Sequence, residues 1–398
     1  MKKPEKSTLS KFWDLDEKTI FLNHGSYGAT PRIVLDEQKK WKSILEKDPV
    51  NFYDNIAPVA LQNARISIAN FVKCNQEDLA LIENATSGVN TVLRSLDFSL
   101  NDEILVPNHA YQACRNAIDY VAMKTGAKVI TCNIPFPVEN NKIIIEKIMG
   151  CVTKRTKLAL IDTVTSPTGI RMPFEELVKL LEEKGVMVLL DAAHGIGMIP
   201  LNLEKIGASF TTSNCHKWLC APKGSAFLHV RKDLQKLIHP LTISHGMNMP
   251  EDGVSRFRHE FDWTGTRDIS AWCVIPFVIR EVSKMVGMEW DEIMEHNNKL
   301  AIQARKYICD KLDVIPPCPD DMLASLATIK LNFNDFTGLS IHETDPIHEK
   351  LFNEYNIQVP VWYWPNPEGR YIRISAQIYN HIEEYEYLGS ALENVCEN

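Results

Sequence analysis

From about residue 79, apolar residues come in short unbroken runs separated by stretches with a helical period. LALIE (79–83), EILVP (103–107), KVITCNI (128–134), KLALIDTV (157–164), VMVLLDAAH (186–194), ASFTTSN (208–214) and SAFLHV (225–230) read as strands. Runs this continuous are expected of strands covered on both faces. Between them, YQACRNAIDYVAMKTG (111–126) and FEELVKLLEEKG (174–185) carry apolar residues at helical spacing. Each closes on a glycine, the residue that a left-handed helix end favours. Pro173 stands just before the second, where its missing N–H does no harm. This alternation predicts an α/β fold: a mostly parallel, doubly wound, seven-stranded sheet with helices on both faces.

The pattern weakens after about residue 245. SHGMNMPEDGVSRFRHEF (244–261) reads as a long irregular loop, followed by a helix-rich stretch at 270–312. LATIKLNF (326–333) and RYIRIS (370–375) read as shorter strands, and HIEEYEYLGSALENV (381–395) as a last helix. The expected division is an N-terminal segment, 1–20, a large domain, 21–265, and a smaller α+β domain, 266–398. The N-terminal segment could pack on either domain.

Composition narrows the class. A hydrophobic fraction of 45% over 398 residues supports a sizeable core. A net charge of −8 argues against a broad nucleic-acid surface. No run approaches the roughly 18 apolar residues of a membrane span, and MKKPEKSTLSKFW lacks the apolar stretch of a secretory signal. The ten cysteines form no CxxC pair, which suggests reduced thiols in the cytoplasm. His342 and His348 lack partners at metal spacing, so no metal is expected.

Chemistry concentrates at three residues. Asp191 closes the run VMVLLD, His194 follows, and Lys217 lies in SNCHKW just after the next run. Ligands of open α/β sheets bind beyond the carboxyl ends of strands, where Asp191 sits. Taken singly, such an Asp reads as a helix cap, the His as a hydrogen-bonded structural residue and the Lys as a solvated charge. Together they read differently. A lysine flanked by His and Trp between apolar strands is not in solvated surroundings. A desolvated lysine has a lowered pKa and attacks carbonyls.

DAAH (191–194), followed by SNCHKWLCAPKG (213–224), resembles the fold type I, class V pyridoxal-phosphate enzymes. Within them it is most similar to the subgroup of isopenicillin N epimerase, L-cysteine desulfhydrase and hercynylcysteine sulfoxide lyase. LNHGSYGATP (22–31), ENATSGVNTV (83–92), TSPTG (165–169), TGTRD (264–268) and RISAQIYN (373–380) follow in the family's order. The resemblance implies that Lys217 holds pyridoxal 5′-phosphate as a Schiff base and that Asp191 keeps the pyridine nitrogen protonated, making the ring an electron sink. It sets His194 by the ring hydroxyl and Tyr111 on the ring face. Ala85, Thr86 and Ser87 open a helix, whose N-terminus attracts phosphate. Asn214 and His216 are implied to add contacts there, and Thr266 to reach in from the other subunit of a homodimer.

Substrate recognition is expected of Arg373, whose planar guanidinium can grip a carboxylate with two parallel hydrogen bonds. Arg370 is a nearby competitor. Asn23 and His24 are expected to line the pocket, with Gly25 and Gly28 letting the backbone approach closely. Trp362, Tyr363 and Trp364 suit either the pocket wall or the small-domain core. The implied activity is β-elimination from cysteine or an S-substituted cysteine, such as a sulfoxide, releasing pyruvate and ammonia. Lys217 would take the Cα proton, and His24 is a candidate to protonate the leaving sulfur. His24 also favours the lyase, because the epimerase pattern carries Thr there. Two alternatives remain. An epimerase needs a second acid on the opposite face. A cysteine desulfurase needs a mobile cysteine, for which Cys318 in PPCPDD is the candidate. A non-catalytic binding protein of this fold would have no reason to keep Lys217, Asp191 and Arg373 together.

Overall fold

The computed structural model describes residues 2–250, 253–332, 344–365 and 368–397. Phe333 and His342 lie outside them. Among the described residues twelve strands form three sheets: β1 (Ile20–Phe21), β2 (Leu79–Ile82), β3 (Glu103–Pro107), β4 (Lys128–Cys132), β5 (Thr156–Asp162), β6 (Met187–Asp191), β7 (Phe210–Asn214), β8 (Ala226–Val230), β9 (Leu326–Leu331), β10 (Ile357–Gln358), β11 (Val361–Pro365) and β12 (Glu368–Ser375). The main sheet has the order β2-β8-β7-β6-β5-β3-β4. Only β8 runs against the others. All seven runs read as strands in the sequence are its members.

Alternation within each strand explains the unbroken apolar pattern. Leu79 and Leu81 join one hydrophobic cluster while Ala80 and Ile82 join the other. Ala159 and Ile161 divide from Leu158 and Leu160 in the same way. With both faces covered, a strand has no position at which a polar residue is free of cost. The helices Gln112–Thr125 and Phe174–Glu182 lie where the sequence predicts them. The first ends on Gly126 in the left-handed region, at φ 78°.

The segment 244–261, expected to be a loop, contains a helix at Arg256–Asp262. The Ser255 side chain caps it by accepting from the Arg258 amide at 3.2 Å. Phe257 and Phe261 share its buried face, and Arg256 pairs with Glu260 one turn on. Its charges pair along one turn, Arg256 with Glu260 and Arg258 with Asp262, which a count of polar residues alone does not reveal.

A second sheet, β11-β12-β9, is antiparallel and packs against the helix Trp290–Leu312, which in turn packs against Ile382–Glu397. Two features cut across the expected division at residues 20 and 266. The helix Ile275–Val286 packs on Ala57–Val72, beside the main sheet. At the other end, β1 pairs in parallel with β10, so the N-terminal segment attaches to the smaller unit. Among the described residues, no helix is long and apolar enough to cross a membrane.

Candidate active site

The carboxyl ends of β6 and β7 carry the central group. Asp191 ends β6 and is buried. Its Oδ1 accepts from the Ala193 amide at 2.9 Å, and its Oδ2 accepts from the Cys114 thiol at 3.2 Å. Asp162 is its register neighbour on β5, also buried, with Oδ2 lacking any partner. Burial pushes both carboxyls above the usual range, and the charge of Asp191 adds to the effect on Asp162. Asp191 has the stabilising donors and the nearby lysine. Asp191 is therefore the more readily ionised of the two.

Lys217 follows β7 in a turn and is half-buried. Its Nζ lies 3.2 Å from His194 Nε2. Burial first, then the charge of Arg373, lowers its amine to about 8. His194 is buried and accepts from the Trp218 indole N–H at its Nδ1, at 3.0 Å. Burial holds this imidazole well below its usual range, so it is neutral.

Next to this group the helix Ala85–Ser95 presents its N-terminus. Asn84 caps it through the Ser87 amide, at 2.8 Å, and the Asn214 side chain accepts from the Ala85 amide at 2.8 Å. Thr86 stands between them with its amide at the open end. Such a cradle favours an anion. His216 donates from Nδ1 to the Ser225 carbonyl at 2.9 Å, leaving Nε2 uncommitted. Burial lowers this ring to about 4. Tyr111 precedes the helix Gln112–Thr125 and is half-exposed, and its phenol senses the charges of Asp191 and Arg373. Thr266 is exposed, in a loop fastened beside this helix by Arg267, which pairs with Glu83.

Arg373 approaches from β12. It is 3% exposed, and among the described residues no carboxylate faces it. Its Nη1 donates to Ser166 and its Nη2 donates to the Ser26 hydroxyl at 3.3 Å, while Nε has no partner. The guanidinium lies 5.1 Å from the Trp362 ring centre. Burial lowers it to about 10. Arg370, the competitor, is instead paired with the buried Asp345 at 2.8 Å. Asn23 is buried, and its Oδ1 accepts from the Ser26 hydroxyl at 2.6 Å.

The expectation for His24 is revised. Its ring is fully buried, with Nδ1 2.8 Å from the Tyr379 hydroxyl and Nε2 3.0 Å from the Lys217 carbonyl. The Ala29 amide also donates to Nδ1, so the ring proton sits on Nε2 and points at the backbone carbonyl. Burial pushes the imidazole down to about 3. Nε2 clamps the Lys217 turn while Nδ1 is taken up by Tyr379 and Ala29, so neither is left for a substrate. Gly28 completes the clamp at φ 69°, where a Cβ would come within 2.3 Å of the His216 carbonyl oxygen. Cys318 is buried, with Sγ 3.3 Å from the Arg305 guanidinium, which fixes it rather than leaving it mobile. Trp364 packs against His109 and Phe136, a core position, whereas Trp362 reaches Arg373.

Sequence reasoning gave no role to Cys114, Asp162, Ser26, Ser166 or Trp218. Ser26, Ser166 and Trp218 stand inside motifs already recognised, which was the available signal. Cys114 counted as a small apolar residue, and nothing in the chain pairs it with Asp191.

A profile of the family described as aminotransferase class-V matches residues 53–388. The chain is 30% identical over 413 residues to a probable L-cysteine desulfhydrase, chloroplastic, of Arabidopsis thaliana, covering 97% of this chain and 85% of that protein. It is 28% identical over 389 residues to the isopenicillin N epimerase of Streptomyces clavuligerus, covering 95% of each. A cysteine desulfurase from Thermococcus onnurineus NA1 superposes with a TM-score of 0.79 at 19% identity, covering 100% of this chain and 99% of that one. A C-DES variant with glycine covalently linked to its PLP cofactor superposes with a TM-score of 0.77 at 17% identity, covering 96% and 98%.

Proposed function

This chain belongs to the aminotransferase class-V family, and from that premise we propose that it is a pyridoxal-phosphate-dependent carbon–sulfur lyase acting on L-cysteine or an S-substituted cysteine. The observation that carries this reading is Arg373, a buried guanidinium held, among the described residues, by neutral oxygens and an aromatic face alone, beside an amine with a lowered pKa. A buried charge without a counter-ion is costly unless a ligand supplies one. A substrate carboxylate is that ligand.

The residues present fit the cofactor. Asp191 is a buried carboxylate at the carboxyl end of a central strand and Lys217 is the nearby amine; with the Ala85 and Ser87 amides held by Asn214 and Asn84, the Thr86 amide, the Thr86 and Ser87 hydroxyls and His216 Nε2 offer the anion cradle. When bound, pyridoxal phosphate supplies the electron sink that makes a Cα–H bond acidic. The chain does the rest. Arg373, held by Ser26 and Ser166, fixes the carboxylate and so orients the Cα–H bond. Lys217 Nζ, whose lone pair becomes free as pH rises through about 8, takes the Cα proton. With His24 committed to the backbone, the proton on Lys217 Nζ is the one at hand for the departing sulfur. The products are pyruvate, ammonia and a sulfur species, sulfide when the substrate is cysteine.

The preference for cysteine draws on the desulfhydrase relative. The sulfoxide substrate has no such support and stands as the finer alternative. We assign Thr266 a contact with the second subunit of a homodimer, a reading that its exposure in its own chain supports. A cytoplasmic location accords with the nine free cysteines among the described residues.

The test is incubation with L-cysteine, its sulfoxides and S-conjugates. Pyruvate release in step with the sulfur product supports the lyase and ranks the substrates. Solvent deuterium at Cα of an otherwise intact amino acid, without pyruvate, replaces it with an epimerase. Alanine with persulfide on a cysteine replaces it with a desulfurase.

A further inference from the structure

Lys217, His194 and Trp218 form a chain of three groups whose donors and acceptors can be assigned without seeing a hydrogen. The indole Nε1 of Trp218 carries a proton and has no lone pair to offer, so at 3.0 Å from His194 Nδ1 it can only donate. His194 Nδ1 is therefore bare. In a neutral imidazole the one proton then sits on Nε2. That nitrogen lies 3.2 Å from Lys217 Nζ. An N–H aimed at an amine is satisfied only if the amine accepts, which an ammonium cannot do.

The opposite assignment fails on geometry. If Lys217 were an ammonium donating to His194 Nε2, the imidazole proton would move to Nδ1 and meet the indole N–H head-on. Trp218 cannot turn away easily: it is 1% exposed, and its ring packs 5.1 Å from His24. The other groups felt at this pair are Asp191 from β6, Cys114 from Gln112–Thr125, Arg373 from β12 and His24 from the N-terminal loop. Among the described residues, neither ring nitrogen of His194 has a further hydrogen-bond partner. Burial, which keeps His194 neutral, removes the doubly protonated form from the choice.

We propose that Trp218 is a positioning residue: its indole N–H fixes His194 as the Nε2–H tautomer, and that tautomer holds the Lys217 amine in its acceptor, nucleophilic form. Trp218 touches neither Lys217 Nζ nor a ligand by this account and acts wholly through His194. The inference deepens the lyase reading and rests on it only for the identity of the aldehyde that Lys217 meets.

Two measurements test it. In full-length protein with ¹⁵N-labelled histidine and no added cofactor, two-bond ¹H–¹⁵N correlations report the His194 tautomer, with His194→Gln serving for assignment. Nε2–H is expected between pH 6 and 9, and Nδ1–H there overturns the proposal. The second measurement follows the pH dependence of the rate at which added pyridoxal phosphate becomes fixed to Lys217 by borohydride, located by peptide mapping. In the native protein the rate rises through a midpoint near the value of about 8 that burial sets. In Trp218→Phe, His194 is free to accept from an ammonium, and the midpoint is expected to rise by about one to two pH units. A Trp218→Phe protein that titrates like the native one overturns the proposal. In His194→Gln, the amide oxygen can accept from Trp218 and the amide nitrogen can donate to Lys217, so the midpoint is expected to stay near the native value. A His194→Gln midpoint that rises as far as the Trp218→Phe one assigns the effect to lost packing and overturns it too. Should Trp218→Phe fail to fold, the tautomer of the native protein still decides. Failure to take up pyridoxal phosphate would count against the lyase reading and leave the tautomer measurement standing.

Discussion

Arg370 and Arg373 stand on the same strand, are both buried, and point to opposite faces because their spacing is odd. Arg370 meets Asp345, itself buried, at 2.8 Å, so its charge is neutralised inside the protein. Arg373 meets two serines and the face of Trp362, and its Nε is left without an acceptor. A pair that satisfies itself holds the small sheet to the helix Pro346–Tyr355. An arginine that folding leaves charged but unpaired weakens the protein and gains its partner only from outside. The difference separates a structural charge from a functional one where residue type and burial alone do not.

The comparison can be broken in four ways, taken from the largest expected effect. Arg373→Gln is expected to lower kcat/KM for an amino-acid substrate by about a thousandfold, in line with losing one side of a buried carboxylate pair. Its melting temperature should not fall, because no internal pair is lost, and a drop in stability without a change in kcat/KM would reverse the two roles. Asp345→Ala is expected to do the opposite, costing about 3 kcal/mol in urea unfolding by stranding Arg370. Its activity per folded molecule should stay at the native level. Lys217 extends the contrast to a third cation. Its ordinary value is 10.5 and burial brings it to about 8, so between these values the unfolded chain binds the proton that the folded one does not. The penalty is full below pH 8 and fades as pH rises toward 10.5. Lys217→Met is therefore expected to stabilise the cofactor-free protein by about 2–3 kcal/mol at pH 7, and by nothing above pH 10.5. The smallest effect sharpens the coupling: Arg373 is the second cause lowering Lys217, so Arg373→Gln should raise the Lys217 midpoint by about half a pH unit. An unmoved midpoint would mean that the two charges do not share one site.

The sheet was readable in the chain because burial on both faces demands unbroken apolar runs, and EILVP has the same bounds as β3. The run at 186–194 overran β6 by three residues because Ala192 and Ala193 look like strand, although the chain is already turning to cap Asp191. Lys217 and Asp191 were readable for a related reason: a charged residue at the end of an apolar run has few structural excuses. His24 was not. A histidine in a glycine-rich loop gives the same letters whether it faces a pocket or clamps a carbonyl, and only the positions of Tyr379 and Lys217, far away in sequence, decide. The choice of Arg373 over Arg370 rested on the family's motif alone; its physical ground is Asp345, which no local pattern pairs with either.

The stretch from Ile20 to Gly28 bonds on one side to β10 and β12, through Leu22 and Gly25, and on the other to the backbone of Lys217, through His24. Mechanically it is a tie-rod. It joins the small sheet that carries Arg373 to the turn that carries the reactive amine, so the two ends of the pocket share one frame.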